Sequence, residues 1–299
     1  NIIGEYQCGF RRGRSTTDQI FVIRELQAES YEHNLPTIAL FIDFQQAYDR
    51  IKRKNLKQAL EELGVSRKLR NMIHITLENT ENRVKINNQS SDTFIVNEGV
   101  RQGDPLSSLL FNLCLEKIMR EAKINREALL YQKRHQVLAF ADDVVLLARG
   151  TKELQEIVQR IVKAAKKMGL YINETKTKCM EWTDGQFRNG QKLKVEVEEG
   201  TSYEFEMVER FTYLGAIISR KPNIKEEIQA RIMAGNKSVH ALNGMLKSKF
   251  LSRKAKIQLY KTTIQPIVTY CSETWTMTKN EQSLLEIWER KILRKIYGG

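Results

Sequence analysis

Two β-prone apolar runs, Val137–Ala141 and Val144–Ala148, are separated by Asp142 and Asp143 alone. This layout fits a tight antiparallel hairpin with adjacent carboxylates at its tip. The tip is the odd part, because neighbouring carboxylates repel unless a cation lies between or beside them. For an isolated Asp-Asp pair, a polar hairpin turn is the simpler account. A second buried-type strand shifts the balance: Thr37–Phe44 is a continuous apolar run bounded by Pro36 and Gln45, and its first charged residue, Asp43, stands near its end. If the two strands are sheet neighbours, Asp43, Asp142 and Asp143 converge.

Three carboxylates offer only oxygen ligands, a set that suits Mg²⁺ rather than zinc. Two such ions about 3.5–4 Å apart can activate a 3′-hydroxyl and stabilise the leaving oxygens of an in-line phosphoryl displacement. The histidines number four, and Cys8, Cys114, Cys179 and Cys271 are spread too widely to clip a zinc ion. The cysteines read as reduced thiols of an intracellular protein.

The chain has 299 residues, 41% of them apolar, enough for a compact body with an appendage. Its net charge of +13 suits a polyanionic partner. The excess is uneven: residues 220–299 hold 16 Lys or Arg against 6 Asp or Glu, whereas residues 1–219 hold 33 against 30. That distribution reads as a nucleic-acid grip attached to a nearly neutral catalytic unit, with a solvated helical surface as the bland alternative. No apolar run approaches the roughly 20 residues that span a bilayer. The start, Asn1–Glu5, lacks a signal-peptide pattern, and a first residue other than Met suggests a fragment.

Along the chain, Ser15 with Asp18 predicts a capping box opening a helix to about His33. Helices are expected over 51–63, closed by Gly64, and over 68–79. A hairpin is expected from 82–88 and 92–97, joined through Gln89 and Ser90. Pro105 opens a helix with Leu106, Leu109, Leu110 and Leu113 on one core stripe. Leu154 to Met168 repeat at helical spacing up to Gly169. Strands are expected at 170–173, 178–182, 193–197, 203–208 and 211–218. Beyond Pro222 the pattern is helical, with one amphipathic helix carrying Ile224 through Leu246 and a last one carrying Leu284, Leu285, Trp288, Ile292 and Ile296.

At these residues the chain resembles the reverse transcriptases of non-LTR (LINE-type) retrotransposons. Phe41-Ile42-Asp43-Phe44-Gln45-Gln46-Ala47-Tyr48-Asp49 resembles the family's motif A, Gly99–Ser107 motif B, and Phe140-Ala141-Asp142-Asp143 motif C. Gly169–Thr177 resembles motif D and Phe211-Thr212-Tyr213-Leu214-Gly215 the primer-grip hairpin, motif E. The non-LTR branch is favoured by Gln7-Cys8-Gly9-Phe10-Arg11 with Ser15-Thr16-Thr17, by Phe140 before Ala141, and by Tyr270–Trp275.

The resemblance implies an α+β polymerase palm, an antiparallel sheet backed by helices. Partial fingers would occupy 1–36, the palm with residual fingers elements 37–221, and a helical thumb and connector 222–299. It implies an RNA-directed DNA polymerase, truncated at its N-terminal side, that adds dNTPs to a DNA primer on an RNA template with two Mg²⁺ ions or Mn²⁺ in their place. Asp43 and Asp142 would hold both metals, with Asp143 completing the cluster and the Phe44 carbonyl on the nucleotide metal. Tyr48 would stack under the incoming sugar; Gln102 and Gly103 would lie near the nascent pair, and Lys176 near the triphosphate. Arg11 and Arg14 would contact template phosphates, and Phe211, Tyr213, Leu214 and Gly215 the primer. Arg101, Asp104 and Ser108 depart from the family's usual Pro, Ser and Pro. No membrane partner is implied, and the site of action would be nuclear. The alternatives are a decayed or domesticated copy that only binds nucleic acid, and an intron maturase.

Overall fold

The computed structural model describes residues 2–124, 136–183, 185, 190–198 and 201–298. Ser15 caps α1 (Thr16–Glu32) through the complete capping box with Asp18. After Pro36 the chain enters β1 (Thr37–Ile42), buried along its whole length. Helices α2 (Arg53–Glu62) and α3 (Arg67–Leu77) lead to two small ladders. One pairs β2 (Thr80–Asn82) with β5 (Phe94–Val96), the other β3 (Lys85–Ile86) with β4 (Gln89–Ser90). The turn therefore lies at Asn87–Asn88, both left-handed at φ +47 and +66, and not at Gln89–Ser90. Asparagine tolerates that region cheaply, which leaves Gln89 and Ser90 free to pair.

Asp104 caps α4 (Pro105–Glu121), accepting from Leu106 N at 2.9 Å, with Pro105 in the first turn. Leu110 and Leu113 are buried as expected, but Leu109 is 47% exposed; it faces the cleft described below instead of the core. Next come β6 (Val137–Phe140), β7 (Asp143–Ala148) and α5 (Thr151–Met168), which Gly169 stops at φ +87. A Cβ on Gly169 would stand 2.2 Å from Arg50 O, so glycine is required there both by conformation and by space. The strand expected at 170–173 reduces to one bridge, Ile172 to Phe44, since Tyr171 O and Asn173 N bond only to the chain just after β1.

With β8 (Lys178–Trp182), β9 (Lys192–Glu198) and β10 (Thr201–Met207), the main sheet has the order β6-β7-β1-β8-β10-β9. Every pair is antiparallel except β8 with β10. Alternation along the central strands builds two cores. Ile38, Leu40 and Ile42 with Val144 and Leu146 face α2, α4 and α5. Ala39, Phe41, Val145 and Leu147 face α1 and the hairpin of β11 (Arg210–Tyr213) and β12 (Ala216–Ser219).

The chain after Pro222 forms α6 (Lys225–Ala241), α7 (Asn243–Lys247), α8 (Arg253–Leu259), a π turn (Tyr260–Ile264), α9 (Gln265–Val268) and α10 (Lys279–Tyr297). The single helix expected through Leu246 breaks at Leu242, because Asn243-Gly244 is a poor place to continue one. Val239, Leu246, Tyr260, Ile264, Val268, Trp288, Ile292 and Ile296 form a third core of this region's own. Among the described residues no helix is long and apolar enough to cross a membrane.

Candidate active site

β1 and β7 pair with Ile42 opposite Val144. One further step in that register sets Asp43 opposite Asp143, where cross-strand Cβ atoms lie about 5 Å apart. Parity puts both on the α1 side of the sheet, with Phe41 and Val145. The turn differs by one residue from the expected Asp142–Asp143. Phe140 pairs with Asp143, so the loop is Ala141–Asp142, with Ala141 at φ +56. A positive φ at the first loop residue matches the twist of the flanking strands, and Asp143 thereby begins β7. Asp142 stands alone at the tip.

No basic side chain is paired with any of the three carboxylates among the described residues. The carboxyl of Asp143 is pushed up to about 6, first by loss of hydration and then by the charges of Asp142 and Asp43. Asp142 is raised too, by loss of hydration and by Asp43, against a backbone hydrogen bond that lowers it. Both side chains nevertheless reach solvent at the cleft mouth. Among the described residues no three acidic, His or Cys side chains are gathered tightly enough to form a ready-made metal cage. What fits a hard cation is the donor chemistry: oxygen atoms only, on acids that resist each other's ionisation. Beside them lies the buried Tyr213 hydroxyl, which has no hydrogen-bond partner among the described residues and is itself raised by burial and by Asp143.

A cleft opens on each side of the acids. One, of about 710 Å³, is lined by Asp142, Tyr48, Gln102, Gly103, Leu109 and Phe10. Tyr48 is both core and cleft wall, since its ring stacks on Phe111 at 5.0 Å. Gly103 sits at φ +92, where a side chain would be strained even though the space is open. The other cleft, of about 400 Å³, brings Asp43 and Asp143 together with Lys176, Phe211 and Tyr213. Phe44 is buried just behind them.

Four expected residues stand away from these clefts. The Arg11 guanidinium donates to Gly4 O at 2.9 Å and Gln7 O at 2.8 Å and pairs with Glu5 at 3.1 Å; Arg14 also pairs with Glu5. Leu214 and Gly215 form the β11–β12 turn at φ +47 and +82. Tyr270 Oη donates to Leu214 O at 2.8 Å, Arg231 donates to Gly215 O, and Arg231 stacks over the Tyr270 ring at 4.6 Å. At the other end of that hairpin, Phe211 stacks on Phe41 at 4.4 Å. Sequence reasoning missed Phe10, which at φ +54 and 64% exposure projects into the larger cleft. Its signals were an aromatic among arginines and glycines and its place in the Gln7–Arg11 segment of the family resemblance.

Residues 1–218 match the family described as reverse transcriptase (RNA-dependent DNA polymerase). The chain belongs to this family. Among curated relatives, the RNA-directed DNA polymerase from mobile element jockey of Drosophila funebris is 24% identical over 311 residues, covering 99% of this chain and 32% of the relative. The Pol polyprotein from type-1 retrotransposable element R2 of Nasonia vitripennis is 29% identical over 157 residues, covering 52% of this chain and 15% of the relative. Both bear out the expected resemblance to the non-LTR branch, although this reverse transcriptase chain spans only part of their length. Among solved structures, telomerase from Candida tropicalis in complex with a TWJ fragment of telomeric RNA superposes with a TM-score of 0.50 at 15% identity, covering 94% of this chain and 46% of that one. Apo telomerase of the same organism gives 0.50 at 14%, covering 94% and 49%. These likenesses are of fold: an α+β polymerase palm with a helical thumb.

Proposed function

We propose that this chain is the nucleotidyl-transfer core of a non-LTR retrotransposon reverse transcriptase, extending a DNA primer with dNTPs on an RNA template. The observation that carries the reading is that Asp43 and Asp143 line one cleft, Asp142, beside Asp143 in the chain, lines a second, and the charges of the three act on one another. Asp43 and Asp142 would hold two Mg²⁺ ions, or Mn²⁺ in their place, and Asp143 and the Phe44 carbonyl would complete the oxygen donors. When bound, such ions lower the pKa of a 3′-hydroxyl and neutralise charge on the phosphate under attack.

The larger cleft holds the nucleotide. Tyr48, fixed by its stack on Phe111, bounds the sugar from below, and Gln102 and Gly103 let the nascent pair approach the backbone. On the other side Lys176 holds a proton at Nζ for the departing pyrophosphate. Phe211, Tyr213, Leu214 and Gly215 support the primer end, and Arg11 and Arg14 stiffen the loop that borders the template. The basic helices beyond Pro222 follow the duplex through its phosphates, without reading sequence.

Primer extension on a homopolymer RNA with Mg²⁺ tests this reading. Asp142→Ala is expected to lower the rate by at least about 10³-fold, a loss of the size seen when part of a catalytic unit is removed. Equal extension by wild type and Asp142→Ala would defeat it.

A further inference from the structure

Ala141, the residue that precedes Asp142, is held from outside the hairpin at both its N–H and its C=O. Gln7 Oε1 accepts from Ala141 N at 2.8 Å and from Gly9 N at 2.8 Å, while Gln7 Nε2 donates to Ala141 O at 3.2 Å. This carboxamide is 1% exposed. Its backbone is fixed in turn. Ala139 N donates to Tyr6 O and Cys8 N donates to Ala139 O, both at 2.9 Å, so residues 6–8 lie along β6 as an extra ribbon. Asn112 Nδ2 on α4 donates to Gly9 O at 2.8 Å, and Gln19 Nε2 on α1 donates to Tyr6 O at 3.0 Å. Gly9 presses so closely that a Cβ there would stand 2.3 Å from Ala141 N and 2.9 Å from Phe140 C.

This clamp answers a need that the hairpin cannot meet alone. A two-residue turn with positive φ at its first position normally uses Gly or Asn there, whereas this one uses Ala141. Ala has no side-chain amide to steady that backbone, and its Cβ disfavours it. A neutral carboxamide presents an acceptor and a donor from one rigid plane, as an N–H and a C=O of the same residue require. A carboxylate at position 7 would add charge beside three acids, and an ammonium would compete for Asp142.

We propose that Gln7 and Gly9 are positioning residues for the metal-binding carboxylates: they fix the Ala141–Asp142 turn so that Asp142 faces Asp43 and Asp143. The inference rests on the reading of Asp142 as a catalytic ligand.

The test compares Gln7→Met, which keeps volume and removes the three side-chain bonds, with Gln7→Glu, which keeps an oxygen to accept from Ala141 N and Gly9 N, and with Gly9→Ala, which pushes on the turn. Four quantities are read: steady-state primer extension, Mn²⁺ affinity of the nucleotide-free chain by electron paramagnetic resonance, template–primer affinity by fluorescence anisotropy, and melting temperature by scanning calorimetry. Gln7→Met is expected to lower kcat about 10²-fold, as a misplacement of about 1 Å does. Its KM for dNTP should change by less than about threefold and its template–primer affinity not at all, the signature of a group acting on the reacting geometry alone. Mn²⁺ affinity should fall about tenfold, in the range of a lost ligand-orienting partner. Gln7→Glu should lie between Gln7→Met and wild type. Wild-type kcat and Mn²⁺ affinity in Gln7→Met would overturn the proposal, and so would a parallel loss of template–primer binding and melting temperature. Should Gln7→Met fail to fold, Gly9→Ala decides by the same readings. Asp142→Ala in the same series separates the two ideas: unchanged extension from it sinks the polymerase reading, whereas its inactivity beside fully active Gln7 and Gly9 variants sinks only the clamp.

Discussion

Asp143 titrates near 6 because the cleft walls remove water from its carboxylate and because Asp142 and Asp43 are close by. In the unfolded chain the same group titrates near its ordinary value of about 3.9. Between those values the folded state binds more protons than the unfolded state, so metal-free stability falls as pH rises from about 4 to about 7. Asp143→Asn is expected to flatten that fall, giving a higher melting temperature than wild type at about pH 7 and a similar one at about pH 4. A divalent cation at neutral pH should raise the wild-type melting temperature more than that of the variant. Scanning calorimetry with and without Mg²⁺ checks both; a steeper decline in Asp143→Asn would contradict the account.

The placing of Asp43 opposite the β6–β7 hairpin was legible in the sequence because a charged residue ending an apolar strand is unusual, whereas Asp142 and Asp143 alone read as a polar turn. The hold of Gln7 on the turn was not legible, since a single amide beside a cysteine carries no periodicity and its partner Ala141 lies 134 positions away. For Tyr48 the residue alone favours core packing and the resemblance a cleft wall, and here it is both.

At the scale of elements, local chemistry predicted what local chemistry controls. The capping box at Ser15, the proline-led start of α4 and the glycine stop after α5 all form as expected. Errors arose where two adjacent positions could each make the turn. Asn87-Asn88 displaced Gln89-Ser90, and pairing with Phe140 of β6 drew Asp143 out of the loop and into β7. Gly169 gives a test at this scale. Gly169→Ala would force an L side chain to φ +87 and place its Cβ against Arg50 O, so a loss of about 2 kcal/mol is expected, at the upper end of left-handed backbone cost. Urea denaturation measures it. A change below about 0.5 kcal/mol, the ordinary surface range, would show that the α5 exit relaxes freely.

Across the whole molecule, charge and chemistry are segregated. Residues 228–272 hold eight Lys or Arg and no Asp or Glu, while the acids sit at the end of the main sheet. Within that stretch Lys247, Lys249, Arg253 and Lys254 are exposed around a fully exposed Phe250, whereas Lys256 is buried. Replacing Lys247, Lys249 and Lys254 by Ala should weaken template–primer binding uniformly across sequences. It should also reduce the slope of log affinity against log salt by about 1 for each phosphate that is no longer neutralised. Anisotropy titrations over a salt series measure the slope; an unchanged slope would remove these lysines from the interface.

The β11–β12 hairpin links these two regions mechanically. Its tip is bolted to Tyr270 and Arg231, and its opposite end rests on Phe41, two residues from Asp43. A swing of the C-terminal helices therefore tugs a short stiff ribbon that ends beside the acids. On the reading proposed above, a load on those helices would reach Asp43 through this ribbon as leverage.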